Sequence, residues 1–249
     1  MYYFIKVYFG KGKKVNGIWS YDMKILELEK CKLENFSPKY RENFRYIENI
    51  EDYYCIKNIN DILEGYHYSN NYTFFQIYFF PCNEQMENIT KCHPSNIFED
   101  FFQSVIIEIL FPDVELSPQI YKTPIKFGKR GTSFPANYKL YSEVALYFHK
   151  LNIETDEDNF GLSQNIKKES YLKYDSYQIF SSLRRDDSLD LYYPIASIII
   201  QLSDKIMTVK RKYNKLIDIL GSIGGIMGVI YSFFQIMISF LADILYDIS

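Results

Sequence analysis

The feature that most constrains this 249-residue chain is a stretch near its end, residues 219–242, that contains no charged side chain. At about 1.5 Å of rise per residue, a helix over this stretch is roughly 36 Å long, which exceeds the roughly 30 Å hydrocarbon core of a bilayer. A buried helix of a globular protein would normally carry charged side chains along one face. The stretch therefore predicts a transmembrane helix at 219–242, followed by a short tail at 243–249.

Small residues recur at four-residue spacing inside the predicted transmembrane helix. They are Gly221, Gly224, Gly225, Gly228 and Ser232. Small side chains let the backbone of a second helix approach closely, and van der Waals contact then supplies the association energy. We expect this surface to pack against other membrane helices, including those of a homo-oligomer. The alternative is that the glycines only reflect their general frequency in membrane helices.

The residues before the helix have the composition of a folded, β-rich domain. Aromatic residues make up 18% of the sequence, which excludes an intrinsically disordered chain. The formal net charge of -3 argues against nucleic acid as a partner, because such proteins gain affinity from clustered Lys and Arg. We expect an α+β fold: a β-rich domain at 1–204, a basic juxtamembrane segment at 205–218 and the C-terminal transmembrane helix.

Strand patterns dominate the predicted domain. Strand-like runs occur at 72–80, 105–111, 138–155 and 195–202. In the third run, alternate residues from Leu140 to Phe148 lie on one face, which predicts that this face is buried. A short helix is expected to begin at about Ser95, and the polar stretch 155–168 is expected to be an exposed loop.

Cysteines and sequons favour an extracytoplasmic location for the domain. Four cysteines favour two disulfide bonds in an oxidising compartment, with Cys82–Cys92 as the preferred pair and Cys31–Cys55 as the remaining one. Four reduced cysteines in a cytosolic protein are the alternative. Three N-glycosylation sequons add weak support for a glycoprotein, and they begin at Asn35, Asn71 and Asn88.

Two features of the sequence complicate that topology. Five basic residues precede the helix, and they are Lys205, Lys210, Arg211, Lys212 and Lys215. The positive-inside tendency would place the domain in the cytoplasm, as part of a tail-anchored protein. The first residues also lack the apolar core of a secretory signal, because Lys6 interrupts them. We expect a single-pass protein of the plasma membrane or an endomembrane as the sequence stands, and a two-pass protein if a first membrane helix precedes Met1.

No arrangement of residues indicates catalysis, so we expect no enzyme, no catalytic residue, no cofactor and no metal site. The glycine- and lysine-containing segments 10–13 and 128–133 lack the spacing of a phosphate-binding loop, and solvated turns are expected there. Cys82, Cys92 and His93 lack the spacing of a zinc knuckle. His149 is expected to be a structural histidine whose ring nitrogens have hydrogen-bond partners.

The residues around the start of the helix resemble a known family. Residues 211–225, which end in Ile223-Gly224-Gly225, resemble the segment that opens the last helix in a large family of uncharacterised ciliate transmembrane proteins. The resemblance extends to Tyr54-Cys55, Cys82, Cys92 and the acidic loop at 155–161. It implies a β-rich extracytoplasmic domain between two membrane helices. This sequence shows no first helix, which implies a gene model shortened at its N-terminus.

A second resemblance implies a different function. Residues 220–228 resemble the opening of the pore helix in degenerin and epithelial sodium channels, which continues into a Gly-Ala-Ser filter. Here Ser232-Phe233-Phe234 stand at the filter positions, and the cysteine-rich ectodomain of those channels is absent. The resemblance implies a subunit of an oligomeric cation channel, with Asp218 at the mouth of the pore and Asp243 at its inner end.

The residues favour a non-enzymatic integral membrane protein with an extracytoplasmic interaction or surface domain. The expected partners are the lipid bilayer and other membrane helices. The cation-channel subunit and the tail-anchored protein with a cytosolic domain are the two alternatives.

Overall fold

A computed structural model of the chain describes residues 3–57, 62–67, 69–82, 92, 105–117, 125–137, 139–157, 165–183, 193–212 and 215–248, with side chains as far as residue 241 in the last range. The strands are β1 (Tyr3–Val15), β2 (Ile18–Leu26), β3 (Leu28–Lys30), β4 (Tyr54–Ile56), β5 (Asn71–Pro81), β6 (Ile106–Leu116), β7 (Ile125–Pro135), β8 (Leu140–Asp156), β9 (Ile166–Leu183) and β10 (Ala196–Arg211). The helices are α1 (Pro38–Phe44) and α2 (Leu216–Ile248), with short 3-10 turns at Leu33–Asn35 and Ile50–Asp52. The predicted class, a β-rich domain followed by a long apolar C-terminal helix, is confirmed.

Six of the strands form the main sheet, in the order β2-β1-β5-β10-β8-β9. β1 is antiparallel to β2 and to β5, and β5 is antiparallel to β10. The remaining described strands pair as two separate antiparallel ladders, β3 with β4 and β6 with β7. β5 therefore has a strand on each side, and its backbone hydrogen bonds are used within the sheet.

Strand alternation gives the main sheet two different faces. On β1 and β5 the pairs Val7↔Ile77 and Ile5↔Phe79 lie on one face, which we call the inner face. Because successive side chains of a strand point to opposite sides, Tyr8, Gly10 and Phe74 lie on the outer face.

A two-residue turn at Asn16-Gly17 connects β1 to β2. Both residues have positive φ, 52° and 83°, and Val15 pairs directly with Ile18. Two consecutive positive φ values are typical of the type I′ turn, whose twist matches that of the flanking strands and which favours Asn-Gly.

Both glycine- and lysine-containing segments lie in strands, so the prediction of solvated turns at 10–13 and 128–133 is wrong. Residues 10–13 lie within β1, where a Cβ built on Gly10 would overlap the ring of Phe74. The glycine makes room for an aromatic ring on the neighbouring strand rather than for a turn. Residues 128–133 lie within β7, where Nε of Arg130 lies 3.0 Å from Oδ2 of the buried Asp113.

The core follows the predicted pattern on β8. Val144 and Leu146 are fully buried and Phe148 nearly so, which confirms that this face of the strand is buried. These side chains belong to one apolar cluster with Phe111 of β6 and Ile198 of β10. The cluster joins the main sheet to the β6–β7 hairpin.

Several predicted boundaries differ from the structure. The strands predicted at 72–80, 105–111, 138–155 and 195–202 are all present, but β10 continues to Arg211. The first half of the expected juxtamembrane segment, residues 205–211, is therefore strand. Part of the expected loop at 155–168 is also strand, because β8 ends at Asp156 and β9 begins at Ile166. The helix predicted from Ser95 lies outside the described residues.

The chain divides into two compact units. One comprises residues 1–151 and 171–207 and contains most of the main sheet, with the β3–β4 and β6–β7 ladders. The other comprises residues 152–170 and 208–249, which include the end of β8, the start of β9, the end of β10 and α2.

Candidate functional site

A cavity of about 790 Å³ lies within the first unit, and we call it the inner pocket. One wall is the inner face of the main sheet, and the facing wall comes from β3, β4, α1 and β6. The sheet wall comprises Ile5, Val7, Phe75, Ile77, Phe79, Phe148, Ile198 and Ile200, and the facing wall includes Leu28, Phe36, Tyr40, Ile56, Ile107, Ile109 and Phe111. The described lining is mostly aliphatic and aromatic.

Strand periodicity places these side chains together. Phe75, Ile77 and Phe79 are spaced by two along β5, and their partners across the ladders also lie on the inner face. Ile77 and Phe79 are only partly buried, although β5 has a strand on each side. Their remaining accessible surface faces the inner pocket.

The wall opposite the sheet is held by a disulfide bond. Cys31 follows β3 and Cys55 lies in β4, and their sulfur atoms are bonded at 2.01 Å. Both cysteines line the inner pocket. The bond joins residues 24 positions apart, so it restrains the segment that contains both 3-10 turns and α1.

The polar side chains of the described pocket lining are one amide (Asn35), four tyrosine hydroxyls and two carboxylates. The Tyr53 hydroxyl donates a hydrogen bond of 2.8 Å to Oε2 of Glu108, and this bond to a carboxylate raises the pKa of Tyr53. Asp52 is the other carboxylate, and no Lys, Arg or His is among the described lining residues. Burial is the main reason that the pKa of the Tyr40 hydroxyl is raised.

The second candidate surface is α2. The helix is long and apolar enough to cross a membrane over Leu216–Leu241, and none of its apolar stretch is buried inside the protein. Val229 is 72% exposed and Ile236 is 68% exposed. This helix spans the predicted transmembrane segment 219–242 and begins three residues earlier.

The small residues of α2 leave space at its surface. A Cβ built on Gly221, Gly224, Gly225 or Gly228 would have nothing within 4 Å. The Ser232 hydroxyl donates to the carbonyl of Gly228 at 2.9 Å, so it satisfies its own hydrogen bond within the helix.

Two of the basic residues near α2 are paired within the second unit. Nζ of Lys215 lies 2.9 Å from Oδ2 of Asp156, and Nζ of Lys210 lies 3.9 Å from Oε2 of Glu154. At the start of α2, the backbone N–H of Lys215 donates to Oδ2 of Asp218 at 3.3 Å. Asp218 thus lies where a carboxylate interacts favourably with the helix dipole.

His149 lies outside the inner pocket, and its environment differs from the prediction. The residue is 8% exposed, and neither ring nitrogen has a hydrogen-bond partner within the described part of the chain. Its nearest opposite charge is Asp175, with 3.8 Å between Nδ1 and Oδ1. Burial lowers the pKa of His149, which Asp175 only partly offsets. The expectation of satisfied ring nitrogens is therefore wrong, because the strand position buries the ring without supplying donors or acceptors.

The remaining cysteines and the sequons occupy distinct environments. Cys82 and Cys92 form the second disulfide bond, with sulfur atoms 2.00 Å apart, so both bonds follow the pairing that the sequence favoured. The Asn35 amide donates to Oε1 of Glu29 at 2.7 Å, whereas Asn71 is exposed at the start of β5. Asn88 lies outside the described residues.

The inner pocket was not predicted from the sequence. Its signal was present in the alternation of Tyr3, Ile5 and Val7 in β1, which lies outside all four strand runs that were recognised. The pairing of β1 with β5 brings two such alternating sets to one face, and long-range pairing of this kind cannot be read from local periodicity.

Comparison with known proteins gives one match and two negative results. A family model described as the uncharacterised 80 kDa protein N-terminal domain matches residues 1–203. No curated protein matches. No solved structure matches either.

Proposed function

The chain belongs to the family described as the uncharacterised 80 kDa protein N-terminal domain, and we propose that this member is a non-enzymatic integral membrane protein with an extracytoplasmic interaction domain. The observation that carries the proposal is α2, whose charge-free run follows a disulfide-bonded β-rich domain. The plasma membrane and the endomembranes both fit this proposal.

The exposure of α2 supports its insertion into lipid. Burying one large apolar side chain is worth about 1.5–3 kcal/mol, and α2 leaves many of them at the surface. Helices also satisfy their backbone hydrogen bonds internally, which is the requirement for a segment in hydrocarbon. A bilayer is therefore the environment in which this surface is stable.

The two disulfide bonds support an extracytoplasmic domain. Disulfides persist in oxidising compartments and are rare in the cytosol. The basic residues before α2 are weaker evidence for the opposite orientation, because Lys210 and Lys215 form ion pairs with Glu154 and Asp156. Long domains also cross membranes largely regardless of their charge.

A channel function receives no comparable support. The carboxylate of Asp218 accepts a hydrogen bond from the backbone at the start of α2, which gives this residue a structural role at the helix terminus. We therefore retain the interaction domain as the single proposed function. Its membrane partners are other helices that pack on the surface formed by Gly221, Gly224, Gly225, Gly228 and Ser232.

Membrane extraction and protease protection test the proposal. The full chain is expected to stay in the membrane pellet at alkaline pH and to be released only by detergent. In sealed vesicles with the cytoplasmic side outward, the β-rich domain is expected to resist added protease. Complete digestion without detergent would contradict the orientation, and release at alkaline pH would contradict membrane insertion.

Glycan attachment gives an independent measure of orientation. If the domain is extracytoplasmic, Asn71 is expected to receive a glycan because it is exposed, and endoglycosidase treatment should then increase gel mobility. Asn71→Gln should reduce that mobility shift by the amount that corresponds to one glycan. Asn35→Gln is the matched control, because the Asn35 amide is already hydrogen-bonded and a change in glycan number is not expected there.

A further inference from the structure

We infer that the inner pocket binds a single-chain amphiphile whose polar end is an uncharged or cationic hydrogen-bond donor, the chemistry of a long-chain alcohol or amine. This inference goes beyond the proposed membrane attachment, because every described residue that lines the inner pocket belongs to the first unit rather than to α2. It concerns what the domain binds rather than how the chain is anchored.

The size and lining of the cavity fit an apolar ligand. Small-molecule sites typically enclose about 300–1,000 Å³ with mostly apolar walls and a few polar groups, and the inner pocket has a volume of about 790 Å³. Ile77 and Phe79 on the sheet wall and Ile109 on the facing wall all keep accessible surface. A ligand that covers this surface gains the free energy of apolar burial.

The backbone arrangement favours a hydrocarbon chain over a peptide. The sheet wall is centred on β5, whose hydrogen bonds are satisfied by β1 and β10. A peptide placed against this wall would bury amide groups without partners, and each such group costs free energy. A hydrocarbon chain carries no such groups.

The charge of the inner pocket selects the polar end of the ligand. Among the described lining residues, Asp52 and Glu108 are the carboxylates, both are exposed, and no Lys, Arg or His is present. A carboxylate or phosphate head would therefore meet like charge at these two side chains. Glu108 already accepts one hydrogen bond from Tyr53, and an ionised carboxylate can accept several, so a hydroxyl or ammonium head has an acceptor there.

Site-resolved photolabelling of the full chain in nanodiscs tests this inference. Three sixteen-carbon probes that carry a diazirine in the chain are compared: the alcohol, the amine and the carboxylic acid. The alcohol and the amine are expected to label peptides from the pocket-lining parts of β5 and β6, and the acid about tenfold less. Equal labelling by the acid, or labelling of α2 alone by all three probes, would overturn the inference.

Variants of the acidic group test the selectivity. Glu108→Lys is expected to reverse the preference towards the acid, and Glu108→Gln to reduce the amine signal while the alcohol still binds. Glu115→Lys is the matched control, since Glu115 is also exposed on β6 but does not line the inner pocket. A preference that does not change in Glu108→Lys would overturn the assignment of the polar end.

A variant that fills the cavity tests the site itself. Ile77→Trp is expected to reduce pocket labelling by about tenfold, whereas Ile199→Trp, on the outer face of β10, should leave it unchanged. Thermal unfolding and non-reducing electrophoresis show whether each variant keeps its fold and disulfides. If Ile77→Trp does not fold, Ile200→Phe replaces it. Labelling that persists in a folded cavity-filled variant would overturn the inference.

The source of the amphiphile is resolved by the route of delivery. In one arm the probe is part of the nanodisc lipid, and in the other it is added from solution in a water-soluble carrier. Pocket labelling in the first arm alone identifies a membrane lipid as the source, and labelling in the second identifies a soluble amphiphile. Absence of pocket labelling in both arms would overturn the inference.

Discussion

The surface of α2 and the walls of the inner pocket both consist mainly of aliphatic and aromatic side chains. On α2 these side chains point outward, whereas in the inner pocket they enclose a cavity. Val229 on α2 is 72% exposed, whereas Ile198 of the pocket wall is fully buried. A helix completes its own backbone hydrogen bonds and can be apolar around its whole circumference. A strand completes them with its neighbours, so its side chains divide between two faces and only one of them encloses the cavity. Backbone pairing, rather than hydrophobicity alone, decides which apolar segment can enter lipid.

The largest effect, on retention in the membrane pellet, should come from placing charges on α2 while the sheet is left unchanged. Ile226→Lys combined with Ile230→Lys places two charges at the centre of the helix, each with an insertion cost of about 2.5–3.5 kcal/mol. We expect the double variant to appear in the alkaline supernatant. Ile25→Lys is the control, because Ile25 is exposed on β2, and it should fractionate like the unmodified protein. Retention of the double variant in the pellet would remove the distinction between the two apolar surfaces.

The next effect compares the contributions of the two disulfide bonds to stability and to the inner pocket. A disulfide bond lowers the conformational entropy of the unfolded chain, which predicts a stabilisation of about 3.5 kcal/mol from the bond between Cys31 and Cys55. The bond between Cys82 and Cys92 closes a shorter loop and is expected to stabilise the fold by about 3 kcal/mol. Paired Cys→Ser variants are compared by denaturant unfolding. The first pair should also weaken probe labelling in the inner pocket, because that bond holds one of its walls. Equal labelling in the two pairs would show that the wall does not depend on its disulfide.

A smaller effect, on the free energy of unfolding, compares a glycine on the outer face of the main sheet with one in the β6–β7 ladder. Gly10→Ala should destabilise the protein by about 1–3 kcal/mol, because the new methyl group would lie within the ring of Phe74. Gly128→Ala in β7 should change the free energy of unfolding by about 0.5 kcal/mol or less, since the new methyl group would come no closer than 4.0 Å to the Asp113 carbonyl oxygen. Urea unfolding of both variants measures the difference. Similar values would mean that Phe74 moves aside without cost.

The smallest expected effect is a pH dependence from His149. Burial is the largest cause of its lowered pKa, Asp175 opposes the shift, and Lys173 and Lys205 add to it. The unfolded chain therefore binds the proton more tightly, so this contribution to stability is constant above about pH 6.5 and decreases as the pH falls below that value. His149→Gln should reduce the loss of thermal stability between about pH 7 and pH 5. An unchanged slope in the variant would assign the pH dependence to other groups.

Local periodicity was enough to predict part of this architecture. The apolar alternation of β8 predicted its buried face, and the uncharged run predicted α2, because both signals lie within single segments. Gly10 and Gly12 were misread because their role depends on Phe74 and Tyr72, which are about sixty residues away in the sequence. Asn16-Gly17, by contrast, is a hairpin signal that lies within one segment, because Asn-Gly favours the turn seen there.

The inner pocket was harder to predict than the fold. Its walls come from strands whose pairing is non-consecutive, such as β1 with β5 and β5 with β10. Periodicity indicates that Ile77 faces one side of β5, but it does not show that this side faces a cavity. The two disulfides were predictable as a pairing, whereas the role of one of them in holding a pocket wall was not.

The short connection between β10 and α2 limits how far that strand can lie from the bilayer. β10 ends at Arg211 and α2 begins at Leu216, and a fully extended link over this interval reaches at most about 17 Å. If α2 is in lipid, the end of β10 stays within that distance of the membrane-embedded helix. A partner that binds there must therefore approach the membrane surface closely.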